Sequence, residues 1–180
     1  MKIKLVKDSN PIMRQRSKPV DLPLSKEDKA TLDAMLDYLK KSQNEEYASK
    51  HNLREGIGLA AIQIGLLKRM FVVYFDTEEE HVEYQLVNPR ILESSVKKCA
   101  LSNGEGCLSV DEDHFGLVHR YYKIKMEAYE AISGKNIVIE ATGLKAIVLQ
   151  HEYDHLNGVL FYDHIDKMNP DKRQVNEEII

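Results

Sequence analysis

Gln150-His151-Glu152-Tyr153-Asp154-His155-Leu156-Asn157-Gly158 is the stretch on which the reading of this chain turns. Two histidines stand four residues apart, with a glutamate directly after the first. Residues at that spacing share one face of an α-helix, so both imidazoles can reach one metal ion. The glutamate is carried round beside the pair, where a base for a water belongs rather than a ligand. Upstream, Leu144, Ile147 and Val148 fall on the same face at about 100° per residue, so the histidines continue an apolar stripe and point inward. Thr142 stands where it can cap the start of this helix, and Asn157-Gly158 where it should end. The plain alternative is a core helix with two satisfied histidines and a solvated Glu152 and Asp154.

A third ligand separates these readings. A common zinc-protease run continues H-x-x-G-x-x-H; Gly158 fits it, but Phe161 stands at the third histidine position. A second pattern wants a glutamate on a following helix, and only Glu177 and Glu178 remain, too near the end of the sequence for a rigid ligand. His164 and His114 lack motif spacing and read more simply as surface or packing histidines. Cys107 is the favoured candidate. It lies in the glycine-flanked turn 102–109, and a thiolate with two imidazoles leaves one position of a tetrahedral site open for water. The competing reading for Cys107, and the preferred one for Cys99, is a small buried apolar residue.

The rest of the chain supplies the setting. Its 180 residues, 43% hydrophobic and 30% charged, suit one globular domain over residues 1–180. A net charge of −4 gives no general attraction to nucleic acid or to an anionic membrane. No apolar run approaches the roughly 20 residues of a membrane helix, and the opening MKIKLVKDSNPIM has no leader pattern. With two cysteines and no leader, no structural disulfide is expected and the cytoplasm is the expected compartment.

Asn10-Pro11 predicts a short helix to about Arg16, followed by an extended linker over 18–23. Ser25 should cap a helix with Glu27 and Asp28 in its first turn; Leu32, Met35, Leu36 and Leu39 carry its stripe to about Ala48. The glycines and alanines of 55–65 give a bare backbone that other groups can approach closely. Strands are predicted over 68–75, 84–88 and 91–101, the last two broken at Pro89, then over 117–131 and 136–140, with turns at 76–81 and 133–134. A short extended piece is expected at 161–166 and a short helix or frayed tail at 171–180. Helices, then many strands, then a late helix indicate an α+β fold, with antiparallel β-sheets packed around a central metal-binding helix and N-terminal helices before them.

Three stretches in this order, Gly56-Ile57-Gly58-Leu59-Ala60-Ala61-Ile62-Gln63, Glu105-Gly106-Cys107-Leu108-Ser109 and Gln150-His151-Glu152-Tyr153-Asp154-His155, resemble the signature motifs of the peptide deformylases. The resemblance covers nearly the whole chain and points to the class common in Gram-positive bacteria. It departs from that class at Ile62, often proline there, and at Tyr153, usually a smaller aliphatic. It implies removal of the formyl group from the N-terminal formylmethionine of newly made polypeptides. The implied metal ligands are Cys107, His151 and His155, holding ferrous iron (Fe2+), for which Zn2+, Ni2+ or Co2+ substitutes in purified family members. Glu152 is the implied general base and acid. The Gln63 side chain and the Leu108 N–H are the implied oxyanion donors, and Ile57, Gly58, Ile147 and Val148 the implied walls for methionine and the peptide backbone. Family positions also suggest a Glu105–Arg120 pair, and Gln150 and Asp154 read as supporting or structural residues rather than catalytic ones. The expected partners are N-formylmethionyl nascent peptides and, transiently, the ribosome, without nucleic-acid sequence specificity or membrane attachment, in a monomer.

Overall fold

The computed structural model describes residues 2–180. Helix α1 (Lys26–Ser42) starts where the sequence places it, because the Ser25 hydroxyl accepts the Asp28 N–H at 3.0 Å and acidic Glu27 and Asp28 meet the positive end of the helix. It stops short of the expected Ala48. The Ser42 hydroxyl donates to the Leu39 carbonyl at 2.8 Å, and the Gln43 amide leaves the helix to donate to the carbonyls of Gly56 (2.9 Å) and Tyr74 (2.7 Å). Asn44 then caps a separate helix α2 (Glu45–His51), accepting the Tyr47 N–H. The break is thus set by long-range bonds that helical periodicity does not announce. The N-terminal helix is a 3-10 turn, Pro11–Arg14, capped by Asn10.

Eight strands are found among the described residues: β1 (Gly58–Ala60), β2 (Met70–Asp76), β3 (His81–Ser94), β4 (Lys98–Ala100), β5 (Arg120–Tyr121), β6 (Lys123–Glu130), β7 (Lys135–Thr142) and β8 (Glu177–Ile179). Five form an antiparallel sheet in the order β1-β2-β3-β6-β7, and three form a smaller one in the order β5-β4-β8. The late helix α3 (Gly143–His155) follows β7 directly. Side chains alternate across β2, and that alternation divides the core. Phe71, Val73 and Phe75 face the cluster containing Ala146, Val148 and Leu149 of α3, while Met70 and Val72 face the cluster containing Leu32, Met35 and Leu39 of α1. The larger sheet is therefore covered by α1 on one side and α3 on the other, the expected α+β arrangement.

Several expectations about the strands and the C-terminal part are corrected. Pro89 does not break β3: Asn88 adopts φ 50°, and the pairing register with β6 shifts between Val87 and Arg90. Proline lacks an N–H, and a bulge is where a strand can spare one. Residues 161–166 are not extended; Phe161–His164 form a 3-10 turn. Residues 171–180 are neither a helix nor a frayed tail, since β8 pairs with β4 in a parallel ladder, Cys99 opposite Glu178. The chain also breaks from strand between 94 and 98 and between 121 and 123, inside spans read as single strands.

Gly158, which ends α3 as expected, adopts φ +74°, and a Cβ there would lie 2.5 Å from the Arg14 carbonyl oxygen. Both the left-handed backbone and the contact with backbone oppose a side chain. Gly158→Ala is expected to lower the unfolding free energy by about 2–4 kcal/mol, read by urea denaturation. A loss under about 0.5 kcal/mol would show that this junction is loose. Among the described residues, no helix is long and apolar enough to cross a membrane.

Candidate active site

Helix α3 presents two histidines to one point. Gln150 fixes its rotation: its amide accepts the Tyr121 N–H (2.9 Å) and donates to the Tyr121 carbonyl (2.8 Å), joining α3 to β5. Thr142 occupies the N-cap position but its side chain makes no capping bond, contrary to expectation. The Nε2 atoms of His151 and His155 lie 3.2 Å apart, and Cys107 Sγ lies 3.4 Å from His155 Nε2. All three donor atoms lie within 4.8 Å of one another. Metal–nitrogen bonds near 2.05 Å and metal–sulfur bonds near 2.3 Å give tetrahedral edges of about 3.3–3.6 Å, so the spacing and the donor chemistry fit a metal ion. The other candidates lie elsewhere. His164 holds Asp154 at 2.7 Å, His114 stacks on Tyr162, Glu177 pairs with His119 and Glu178 with Lys97.

Around these donors runs a buried chain of charges. His151 Nδ1 meets Glu105 Oε2 at 2.8 Å. Arg120 donates to both Glu105 oxygens, at 2.9 and 3.0 Å, and also to Asp154, so the Glu105–Arg120 pair suggested by the motifs is present. Arg120 is only 3% exposed. Burial alone would raise the Glu105 carboxyl, but hydrogen bonds from His151 and Arg120 more than offset it and bring it down to about 2. A depressed carboxylate adds stability above its unfolded value, near 4.5, and that stability is lost as pH falls towards 2. Glu105→Gln should therefore be less stable than the parent at pH 6 and lose less stability between pH 4.5 and pH 2, measured as the urea midpoint. Equal slopes for the two proteins would remove Glu105 from the acid transition.

Glu152 sits beside the donors, 3% exposed, and its Oε2 has no hydrogen-bond partner among the described residues. Burial pushes its carboxyl up to about 7, a value suited to exchanging protons near neutrality. The backbone of Gly58 lies against it: a Cβ there would fall 2.3 Å from Glu152 Oε1. Glycine is what allows β1 to approach the carboxylate this closely.

A cleft of about 380 Å³ opens here, lined by Ile57, Gly58, Gln63, Cys107, Leu108, Ile147, Val148, His151 and Glu152, with Arg54 and Leu101 among its other walls. The structure thus brings to one cleft or its floor the ten residues to which the resemblance gives metal, catalytic or substrate-binding roles. Ile57 is on the rim, 37% exposed; Val148 also belongs to the core beneath the sheet. Gln63 is nearly fully buried. Its Oε1 accepts the Ala60 N–H at 2.7 Å, and its Nε2 lies 3.2 Å from Ser109 Oγ and 3.4 Å from Cys107 Sγ. Ser109 and Arg54 were not among the sequence candidates; Ser109 is the last residue of the second motif and Arg54 lies two positions before the first, which is the signal that could have raised them. Cys99 is free and fully buried, and burial pushes its thiol up to about 11, in line with a packing role.

The family model for polypeptide deformylase matches residues 2–171. The chain belongs to the peptide deformylase family. It is 48% identical over 172 residues to the peptide deformylase of Macrococcus caseolyticus, covering 94% of this chain and 93% of that one. It is also 48% identical over 173 residues to peptide deformylase 2 of Bacillus subtilis, covering 96% and 94%. The crystal structure of the peptide deformylase from Thermotoga maritima superposes with a TM-score of 0.71 at 32% identity, over 92% of this chain and 99% of that one. That of Ehrlichia chaffeensis gives 0.75 at 28% identity, over 94% and 91%. Members of this deformylase family are hydrolases, and the Gram-positive character of the sequence relatives agrees with the class that the motifs suggest.

Proposed function

We propose that this chain, acting as a single domain, removes the formyl group from the N-terminal formylmethionine of nascent polypeptides in the cytoplasm, using Fe2+ held by Cys107, His151 and His155. The observation that carries the reading is the convergence of one cysteine sulfur and two imidazoles beside a buried Glu152, whose Oε2 has no partner among the described residues, at the floor of an apolar cleft, in a chain of this family. The metal, when bound, supplies Lewis acidity that makes a water nucleophilic near neutral pH. Glu152 takes the proton from the attacking water and returns it to the leaving amine. The Gln63 amide and the Leu108 N–H stabilise the tetrahedral oxyanion at the formyl carbon; losing one such donor costs about 10²–10³ in rate. Ile147 and Val148, one turn before the histidines, wall the methionine side chain. Ile57 and Gly58 offer bare backbone to an extended peptide. Encounter with the ribosome is transient and the working form is a monomer.

An anaerobic assay with metal analysis on the same sample tests this. Formyl-Met-Ala should be deformylated in proportion to bound iron, while an internal peptide bond is left intact. Cleavage of the internal bond without deformylation would replace this reading with that of a metal endopeptidase.

A further inference from the structure

The turn that carries Cys107 is closed by its own backbone, the Val110 N–H donating to the Cys107 carbonyl at 3.1 Å. Arg54 adds a second clamp. One end of its guanidinium donates to the same Cys107 carbonyl, and the other donates to the Val110 carbonyl at 3.0 Å. The Cys107 carbonyl and the Leu108 N–H belong to one peptide unit. In a trans peptide they point from opposite edges of one rigid plane, so fixing the carbonyl fixes the direction of the N–H. A cationic donor on the carbonyl also polarises the unit and strengthens its N–H as a donor. A planar fork can hold two carbonyls in register, which a lysine ammonium cannot do with the same geometry. The Arg54 side chain is exposed, and its backbone neighbourhood is held independently: Gly56 is tied to α1 through its N–H to Ser42 Oγ at 3.1 Å and its carbonyl to Gln43.

We propose that Arg54 is a positioning residue whose guanidinium, bridging the Cys107 and Val110 carbonyls, holds the Cys107–Leu108 peptide so that the Leu108 N–H faces the oxyanion. The proposal rests on Leu108 acting as an oxyanion donor. It assigns to an exposed arginine, outside the ligand set, part of the stabilisation delivered by a backbone group.

Three proteins test it, all loaded with zinc because zinc is diamagnetic: Arg54→Met, a form in which the Leu108 amide is replaced by an ester, and the combination. Arg54→Met should lower kcat about tenfold, with KM within about twofold and metal content unchanged. The ester alone should lower kcat by about 10²–10³. In the ester background Arg54→Met should have no further effect, since the group it positions is gone. Cys107-Leu108 is the one Cys-Leu pair in the chain, so carbonyl-13C cysteine with 15N leucine gives a single amide cross-peak. That peak should shift in Arg54→Met and move part of the way back in Arg54→Lys. An unchanged kcat in Arg54→Met beside a damaged ester form overturns the role of Arg54 and leaves Leu108 as donor. A fully active ester form overturns the Leu108 reading, and the inference with it. Loss of metal in Arg54→Met with unaltered turnover per bound metal, or equal losses from Arg54→Met in both backgrounds, shows a structural arginine and overturns the proposal.

Discussion

Glu152→Gln is expected to retain the metal and lose about 10³-fold or more in kcat. Glutamine matches the shape of glutamate, so the close fit against Gly58 is kept and the variant tests charge and proton transfer alone. A general base and acid contributes about 10²–10⁴ to a rate, and Glu152 serves both halves of the proposed proton transfer. Its carboxylate lies apart from the Cys107, His151 and His155 donor group, so metal content per chain should equal that of the parent. Glu152→Asp sharpens the test: it keeps the charge but withdraws it by one methylene, and should lose most of the rate although its carboxylate still ionises. Metal analysis with steady-state kinetics on formyl-Met-Ala reads both variants. An empty site in Glu152→Gln would move Glu152 into the ligand set, and full activity would assign the proton transfer to another group.

Cys107→Ser is expected to lose metal affinity by more than about 100-fold, beyond the 10–100-fold typical of losing a group that only orients a ligand. The thiolate is the one soft, anionic donor of the three, and a serine hydroxyl stays protonated near neutrality and binds a metal weakly. The backbone of the turn should survive, since the Val110 N–H and Arg54 hold the Cys107 carbonyl and not its side chain. Gln63 would lose one of the two contacts of its Nε2, Cys107 Sγ, and keep Ser109 Oγ. Dialysis against a chelator followed by metal analysis, with circular dichroism to establish the fold, measures this. Iron content equal to that of the parent would remove Cys107 from the ligands.

The helix α1 and the metal helix α3 were legible because their signals are local. Ser25 and the stripe from Leu32 to Leu39 mark one, and the spacing of His151 and His155 marks the other. The early end of α1 was not legible, because Gln43 reaches carbonyls of Gly56 and Tyr74 that are distant in sequence. Pro89 looked like a break because proline ends most ladders; the left-handed Asn88 turns it into a bulge. β8 was missed for a related reason. Its sequence, Glu177-Glu178-Ile179, carries no strong strand signal, and it becomes a strand by pairing with β4 and by burying Glu177 against His119.

By itself the sequence determined the α+β class, a helix with two inward histidines and a neighbouring glutamate, and, through three motifs in order, the family. Those are properties of spacing and of residue type. The sequence favoured Cys107 as third ligand and suggested the Glu105–Arg120 pair; the tertiary structure set Cys107, rather than His114, His164, Glu177 or Glu178, against those histidines, and it alone disclosed that Glu105 braces His151 and that Arg54 clamps the cysteine turn. Each depends on groups far apart along the chain being brought within a few ångströms by the packing of the sheet between α1 and α3, and no local pattern records which distant groups will meet.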